Sequence, residues 1–226
     1  MISIKKPNIG HSIFAGINND QGIMICGYEW GGDENEAPSQ NDMRVEATFA
    51  NKFRRYGEPA RHWKYDNRIK KWFKMLGHEF NENDAGIFEK CIVQTNWCDT
   101  QGKNIKEGII AKLLAADAVE NFIDHIEIFR PKLIFFMGSS LIEALQNDQV
   151  LKKFEKHVGP RKTTPCFPNK PFTGRKFKIG FQSFEKCNIV SLPHPSGSRG
   201  LNDEYIKLFT DDISPLIEGV KKIKGC

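Results

Sequence analysis

Two familiar signatures are missing from this chain. None of its six cysteines forms a Cys-x-x-Cys pair, and no apolar run approaches the roughly 20 residues that a membrane-spanning helix requires. The first absence removes the usual spacing of zinc ribbons and of thioredoxin-like redox sites. Cys91, Cys98, Cys166 and Cys187 have the residue type for zinc or an iron–sulfur cluster, but without that spacing neither metal nor cofactor is expected. Cys26, Cys91 and Cys187 lie in or beside apolar stretches and read as small buried hydrophobes of a reducing compartment. The second absence leaves no candidate membrane span. The lysines near Met1 are not followed by the apolar segment of a secretory leader, so a cytoplasmic protein without a membrane partner is expected. Internal repeats and low-complexity tracts are absent too.

What is present fits one domain over residues 1–226, large enough to bury a sizeable core. The formal charge is +5 and unevenly spread. From Val150 to Gly180 there are nine Lys or Arg against one acid, a local charge of +8 that leaves −3 for the rest. A basic patch on a nearly balanced body favours a polyanionic partner.

Four apolar runs read as strands buried on both faces, the pattern of a parallel sheet. They are Ile23-Met24-Ile25-Cys26, Cys91-Ile92-Val93-Gln94-Thr95, Leu133-Ile134-Phe135-Phe136-Met137 and Asn188-Ile189-Val190-Ser191-Leu192. Helical periodicity separates them. Ser39 with Asp42 resembles a capping box opening a helix with Met43, Ala47, Ala50 and Phe53 on its apolar side. Asp66 can cap a second helix, whose Ile69, Trp72, Phe73 and Leu76 fall at helical spacing before Gly77. A long amphipathic helix is predicted over 105–128. Ser140 with Glu143 suggests another capping box, Arg175 to Phe184 a hairpin or antiparallel extension, and Asn202 the cap of a C-terminal helix. The alternation predicts an α/β three-layer sandwich around a central four-stranded, mainly parallel sheet.

Each strand ends in something more polar or tighter than a connector needs. The first runs into Gly27-Tyr28-Glu29-Trp30-Gly31, the second into Asn96-Trp97, the third into Gly138-Ser139 and the fourth into His194-Pro195-Ser196-Gly197. Because ligands of open α/β sheets bind at the carboxyl ends of strands, these four termini form one candidate site. It would combine an acid, an amide able to read a base-like edge, an anion-sized helix start and an imidazole held by flanking prolines.

This order of elements resembles the uracil-DNA glycosylase superfamily over nearly the whole chain. His194-Pro195-Ser196-Gly197 matches the family's second motif in full, and Gly27 to Gly31 matches the first in part. Trp30 stands in place of the usual proline, and Glu29 where some members have an Asp or Asn that activates water. Asn96 looks like the strand-end Asn that binds uracil. The resemblance implies metal-independent hydrolysis of the N-glycosidic bond of uracil or a related deaminated base in DNA. Glu29 and His194 would be catalytic. Asn96 would read the base, and Trp30, Tyr28 or Trp97 would supply the aromatic platform that a flipped base needs. Gly138, Ser139, Ser196, Gly197 and Ser198 would hold phosphates, with Arg199 or Leu201 as a wedge into the duplex. Arg161, Lys162, Arg175, Lys176 and Lys178 would add sequence-independent affinity. A monomer is implied, nucleoid-associated if bacterial. Two competing classes are a catalytically silent nucleic-acid or nucleobase-binding protein of the same fold, and a small-molecule nucleoside hydrolase, which would lack the basic rim.

Overall fold

The structure is a computed structural model that describes residues 18–31, 47–100, 102 and 108–226. Ser39, Asp42 and Met43, with the capping box expected there, lie outside these residues. In chain order the elements are β1 (Ile23–Gly27), α1 (Phe53–Tyr56), α2 (Lys64–Met75), α3 (Ile87–Lys90), β2 (Ile92–Asn96), α4 (Ile109–Leu113) and α5 (Ala116–Phe129). Then follow β3 (Leu133–Met137), α6 (Ser139–Leu145), α7 (Asp148–Val158), β4 (Gly180–Ser183), β5 (Asn188–Leu192), α8 (Asp203–Lys207) and α9 (Thr210–Lys224).

The four apolar runs become β1, β2, β3 and β5, and all of their neighbouring pairs are parallel. Their side chains alternate between two cores, as a period of two demands. Met24, Cys26, Val93, Ile134 and Phe136 meet Phe122, Leu145 and Phe154 on one face. Ile23, Ile25, Ile92, Phe135 and Val190 meet Ile69, Phe73, Ile213 and Ile217 on the other. Helices therefore cover both faces of the sheet. Each fully buried Ile or Phe contributes about 1.5–3 kcal/mol, so the central strands carry much of the stability.

The sheet has five strands rather than four, in the order β2-β1-β3-β5-β4. The extra one, β4, lies antiparallel on the edge, pairing Gly180 with Ser191 and Ser183 with Asn188. It realises the antiparallel extension expected within 175–184. Only every second residue of β4 is buried, which is why it lacks the apolar run of its neighbours. The chain passes from β1 to β2 on one side and returns across β1 to β3 on the other, so the connections diverge at the carboxyl end of β1. Such a divergence leaves a crevice.

Four other expectations change. The helix predicted over 105–128, whose residues 105–107 lie outside the described ones, is broken between Leu113 and α5, because Ala115 leaves helical geometry at φ −60° and ψ 142°. Ala47 and Ala50 are buried, yet the chain from Ala47 to Lys52 forms turns before the short α1. Asp66 sits inside the first turn of α2 rather than capping it, and α6 starts at Gly138 with no side-chain cap from Ser140. By contrast Ile69, Trp72, Phe73 and Leu76 all face the core, and the Asn202 side chain accepts from the Glu204 N–H as the cap of α8. Among the described residues no helix is long and apolar enough to cross a membrane.

Candidate functional site

A cavity of about 570 Å³ opens at the carboxyl ends of β1 and β2 and beneath the loop after β5. That volume is within the range of small-ligand sites. Glu29, Asn96 and His194 all line it, with Tyr28, Trp30, Ser196 and Gly197.

The first wall is built by continuing the β1–β2 pairing beyond the strands. Trp97 N–H donates to the Gly27 carbonyl, Cys98 N–H to that of Tyr28, and Trp30 N–H to that of Thr100. This zipper fixes Glu29, whose carboxylate is only 10 % exposed and forms an ion pair with Lys112 of α4. Thr100 Oγ1 donates to the same Oε2 at 2.8 Å. Oε1 makes no hydrogen bond to a described residue and lies against Gly102, where an added Cβ would stand 2.6 Å from it.

Asn96 ends β2 with its side chain lying across Gly27. A Cβ on Gly27 would stand 2.5 Å from Asn96 Oδ1, so only glycine lets the amide occupy that place. The Asn96 and Trp97 carbonyls both accept from Asn121 Nδ2 of α5. The backbone that carries the amide is thereby held from behind.

His194 is the best-defined group. Gly197 N–H donates to its Nδ1 at 2.9 Å, so Nδ1 is an acceptor and the proton of the neutral ring resides on Nε2. Its ring is stacked on Tyr28, with centroids 6.0 Å apart, and tilted against Tyr65 at 5.3 Å. Burial between these rings lowers its pKa to about 4. The imidazole is therefore neutral at physiological pH and offers Nε2–H as a donor. The loop that presents it is clamped by Arg68 of α2, which donates to the Pro195 and Leu201 carbonyls at 2.9 and 2.6 Å. Arg68 is anchored in turn on Asp203 at 2.8 Å. Burial alone would raise the Asp203 pKa, but hydrogen bonds from Lys71, Trp72 and Arg68 outweigh it and leave the carboxyl below its ordinary value.

Other expected site residues lie elsewhere. Trp97 is fully buried, stacked on Phe122 with centroids 3.9 Å apart, and donates Nε1–H to the Leu113 carbonyl. It is a core residue and offers no platform. Leu201 is 8 % exposed and packs in the core with Tyr205 and Ile206, so its side chain is committed inward. Gly138 does not face the cavity. A Cβ there would stand 2.2 Å from the Tyr28 hydroxyl, which accepts from the Ser140 N–H. Tyr28 thus fills the start of α6, where a phosphate was expected, and Ser139 is exposed outside the cavity.

The basic residues divide into two groups. Arg175 Nη1 donates to the Arg199 carbonyl at 3.0 Å, beside the His194 loop. Because Gly180 pairs with Ser191 near the end of β5, Lys176 and Lys178 also belong to the cavity end. Arg161 and Lys162 instead meet Phe184 and Ser183, and Ser183 pairs with Asn188 at the start of β5. They lie at the opposite end of the sheet. Arg175, Lys176, Lys178, Ser198 and Arg199 are at least partly exposed.

A third wall was missed in the sequence. Tyr65, Asp66, Lys52, Gln94 and Trp63 all line the cavity, whereas the sequence suggested only a helix cap for Asp66 and no role for Lys52. Lys52 Nζ donates to Asp66 Oδ2 at 2.9 Å, with both side chains about 5 % exposed. It also donates to Gln94 Oε1. The alternation of β2 held the only sequence signal, since Gln94 shares its face with Asn96. Among the described residues no three His, Cys, Asp or Glu side chains are grouped so as to hold a metal ion. No family model matches the chain, and no curated protein matches it.

Proposed function

We propose that this protein is a DNA glycosylase that hydrolyses the N-glycosidic bond of uracil or a related deaminated base, with a fold like that of the uracil-DNA glycosylases. The observation that carries the reading is the convergence of Glu29, Asn96 and a neutral, Nε2-protonated His194 on one cavity. Cleavage builds positive charge on the sugar and negative charge on the departing base, so the site must serve both ends. Glu29 holds the attacking water and faces the cationic sugar. His194 Nε2–H donates to a base carbonyl as negative charge develops there. The Asn96 amide pairs with an N–H and a carbonyl of uracil and rejects cytosine, whose donor and acceptor are exchanged. Tyr28, Tyr65 and Trp30 supply aromatic surface for the flipped base. Ser196, Gly197, Ser198, Arg199, Arg175, Lys176 and Lys178 form a polar and basic rim for the nucleic-acid backbone.

A second reading is favoured by one observation: Lys112 already pairs with Glu29, as it would in a protein that binds a nucleobase without cleaving. Glu29→Gln separates the two. In a glycosylase it lowers the single-turnover rate on a uracil-containing oligonucleotide by roughly 100-fold or more and leaves DNA affinity within about threefold. In a silent binder neither protein releases base.

A further inference from the structure

We infer that Lys52, held by Asp66 and Gln94, forms a leaving-group subsite beyond Asn96, where its ammonium meets the oxygen of the departing base on which negative charge collects. The inference rests on the glycosylase reading. It begins from the place of Gln94, which lies two residues before Asn96 on the same face of β2, or roughly 7 Å deeper along the strand. Both side chains line the cavity, so it continues past the amide that would read the base.

At that depth stands Lys52. A lysine ammonium has three N–H donors. Two are taken, by Asp66 Oδ2 and Gln94 Oε1, and the third has no hydrogen-bond acceptor among the described residues. The aromatic rings of Phe49 and Trp63 lie 5.1 and 5.6 Å from Nζ, and such faces attract a cation without accepting a strong hydrogen bond. A ligand oxygen that reaches this third N–H would form a charge-assisted hydrogen bond inside the cavity. A ring carbonyl of the base supplies that acceptor, and the interaction strengthens as the glycosidic electron pair passes into the base. Burial lowers the Lys52 pKa, and the Asp66 carboxylate opposes that shift and, with Gln94, fixes the direction of the ammonium. His194 and Lys52 then share the developing charge from two sides.

The test uses leaving groups of different acidity. 5-Fluorouracil departs as a more stable anion than uracil and depends less on charge stabilisation by the protein. Single-turnover excision from oligonucleotides carrying either base is measured for wild type, Lys52→Met and Lys52→Met/Asp66→Asn; the double variant leaves no unpaired carboxylate behind. The expected result is a loss of ~100-fold on uracil, with a loss several-fold smaller on 5-fluorouracil, in both variants. Equal losses on the two bases, or uracil excision within about threefold of wild type, overturn the inference while leaving the glycosylase reading intact. A wild type that excises neither base overturns both. If neither variant folds, inhibition of wild type decides. Free 5-nitrouracil, which ionises more readily than uracil, should inhibit more tightly than uracil, and equal or weaker inhibition overturns the inference.

Discussion

Lowering the pH tests the His194 assignment without changing a residue. With a pKa of about 4 in the folded chain against an ordinary value near 6.5, only about 0.1 % of the rings are protonated at pH 7. Between those two values the unfolded chain binds the extra proton and the folded chain does not. Stability therefore falls as the pH drops from about 6.5 toward 4 and is insensitive to this group above 6.5. The shift corresponds to at most about 3 kcal/mol, lost at no more than about 1.4 kcal/mol per pH unit. The assay is a ring-resonance titration by NMR, assigned by loss of the signal in His194→Gln, with the ring nitrogen shifts reporting the tautomer. The predicted result is a midpoint near 4 and a proton on Nε2 in the neutral form. Gly197→Ala perturbs the same contact, because the new Cβ would stand 3.0 Å from Nδ1. It should displace the ring and raise the midpoint toward 6.5. A wild-type midpoint at 6.5, or a proton on Nδ1, refutes the account of how this imidazole is held.

Two further outcomes follow from groups outside the cavity. His125 is fully buried on α5 with no hydrogen-bond partner at either ring nitrogen among the described residues, and burial lowers its pKa to about 4. Relieving unsatisfied polar atoms is worth roughly 1–3 kcal/mol; His125→Leu should therefore raise the denaturation midpoint and flatten the stability profile between pH 4 and 6.5. A lower midpoint would show that the imidazole has a partner after all. The division of the basic residues predicts that Arg175→Gln/Lys176→Gln weakens DNA binding and reduces the salt slope by about two, whereas Arg161→Gln/Lys162→Gln changes neither. Equal effects of the two pairs, measured by fluorescence anisotropy across a salt series, would contradict that placement.

The central sheet was legible because continuous apolar runs such as Leu133 to Met137 have few alternatives to a strand covered on both faces. Strand ends were legible for the same reason: once the strands are placed, Glu29, Asn96 and His194 must share an edge. Less could be read where tertiary contact decides the outcome. Lys52 stands between Ala50 and Phe53, the only residues of that stretch whose spacing carried a signal, and only the approach of Asp66 and Gln94 buries it. Trp97 and Leu201 sit where a platform and a wedge were expected, but residue type cannot tell an aromatic that awaits a base from one that stacks on Phe122. Gly138 and Ser139 have the pattern of an anion site, and the Tyr28 hydroxyl fills the place. The edge strand β4 was faint because one of its faces is only half-buried.

The most direct measurement is the mass-spectrometric detection of free base from a single-stranded oligonucleotide containing one uracil, incubated with wild-type protein in the presence of a chelator. Release of uracil, leaving an alkali-labile abasic site and sparing the cytosine-containing control, is the predicted result. Intact oligonucleotide with uracil, hypoxanthine and xanthine alike, at protein concentrations that saturate binding, would contradict it.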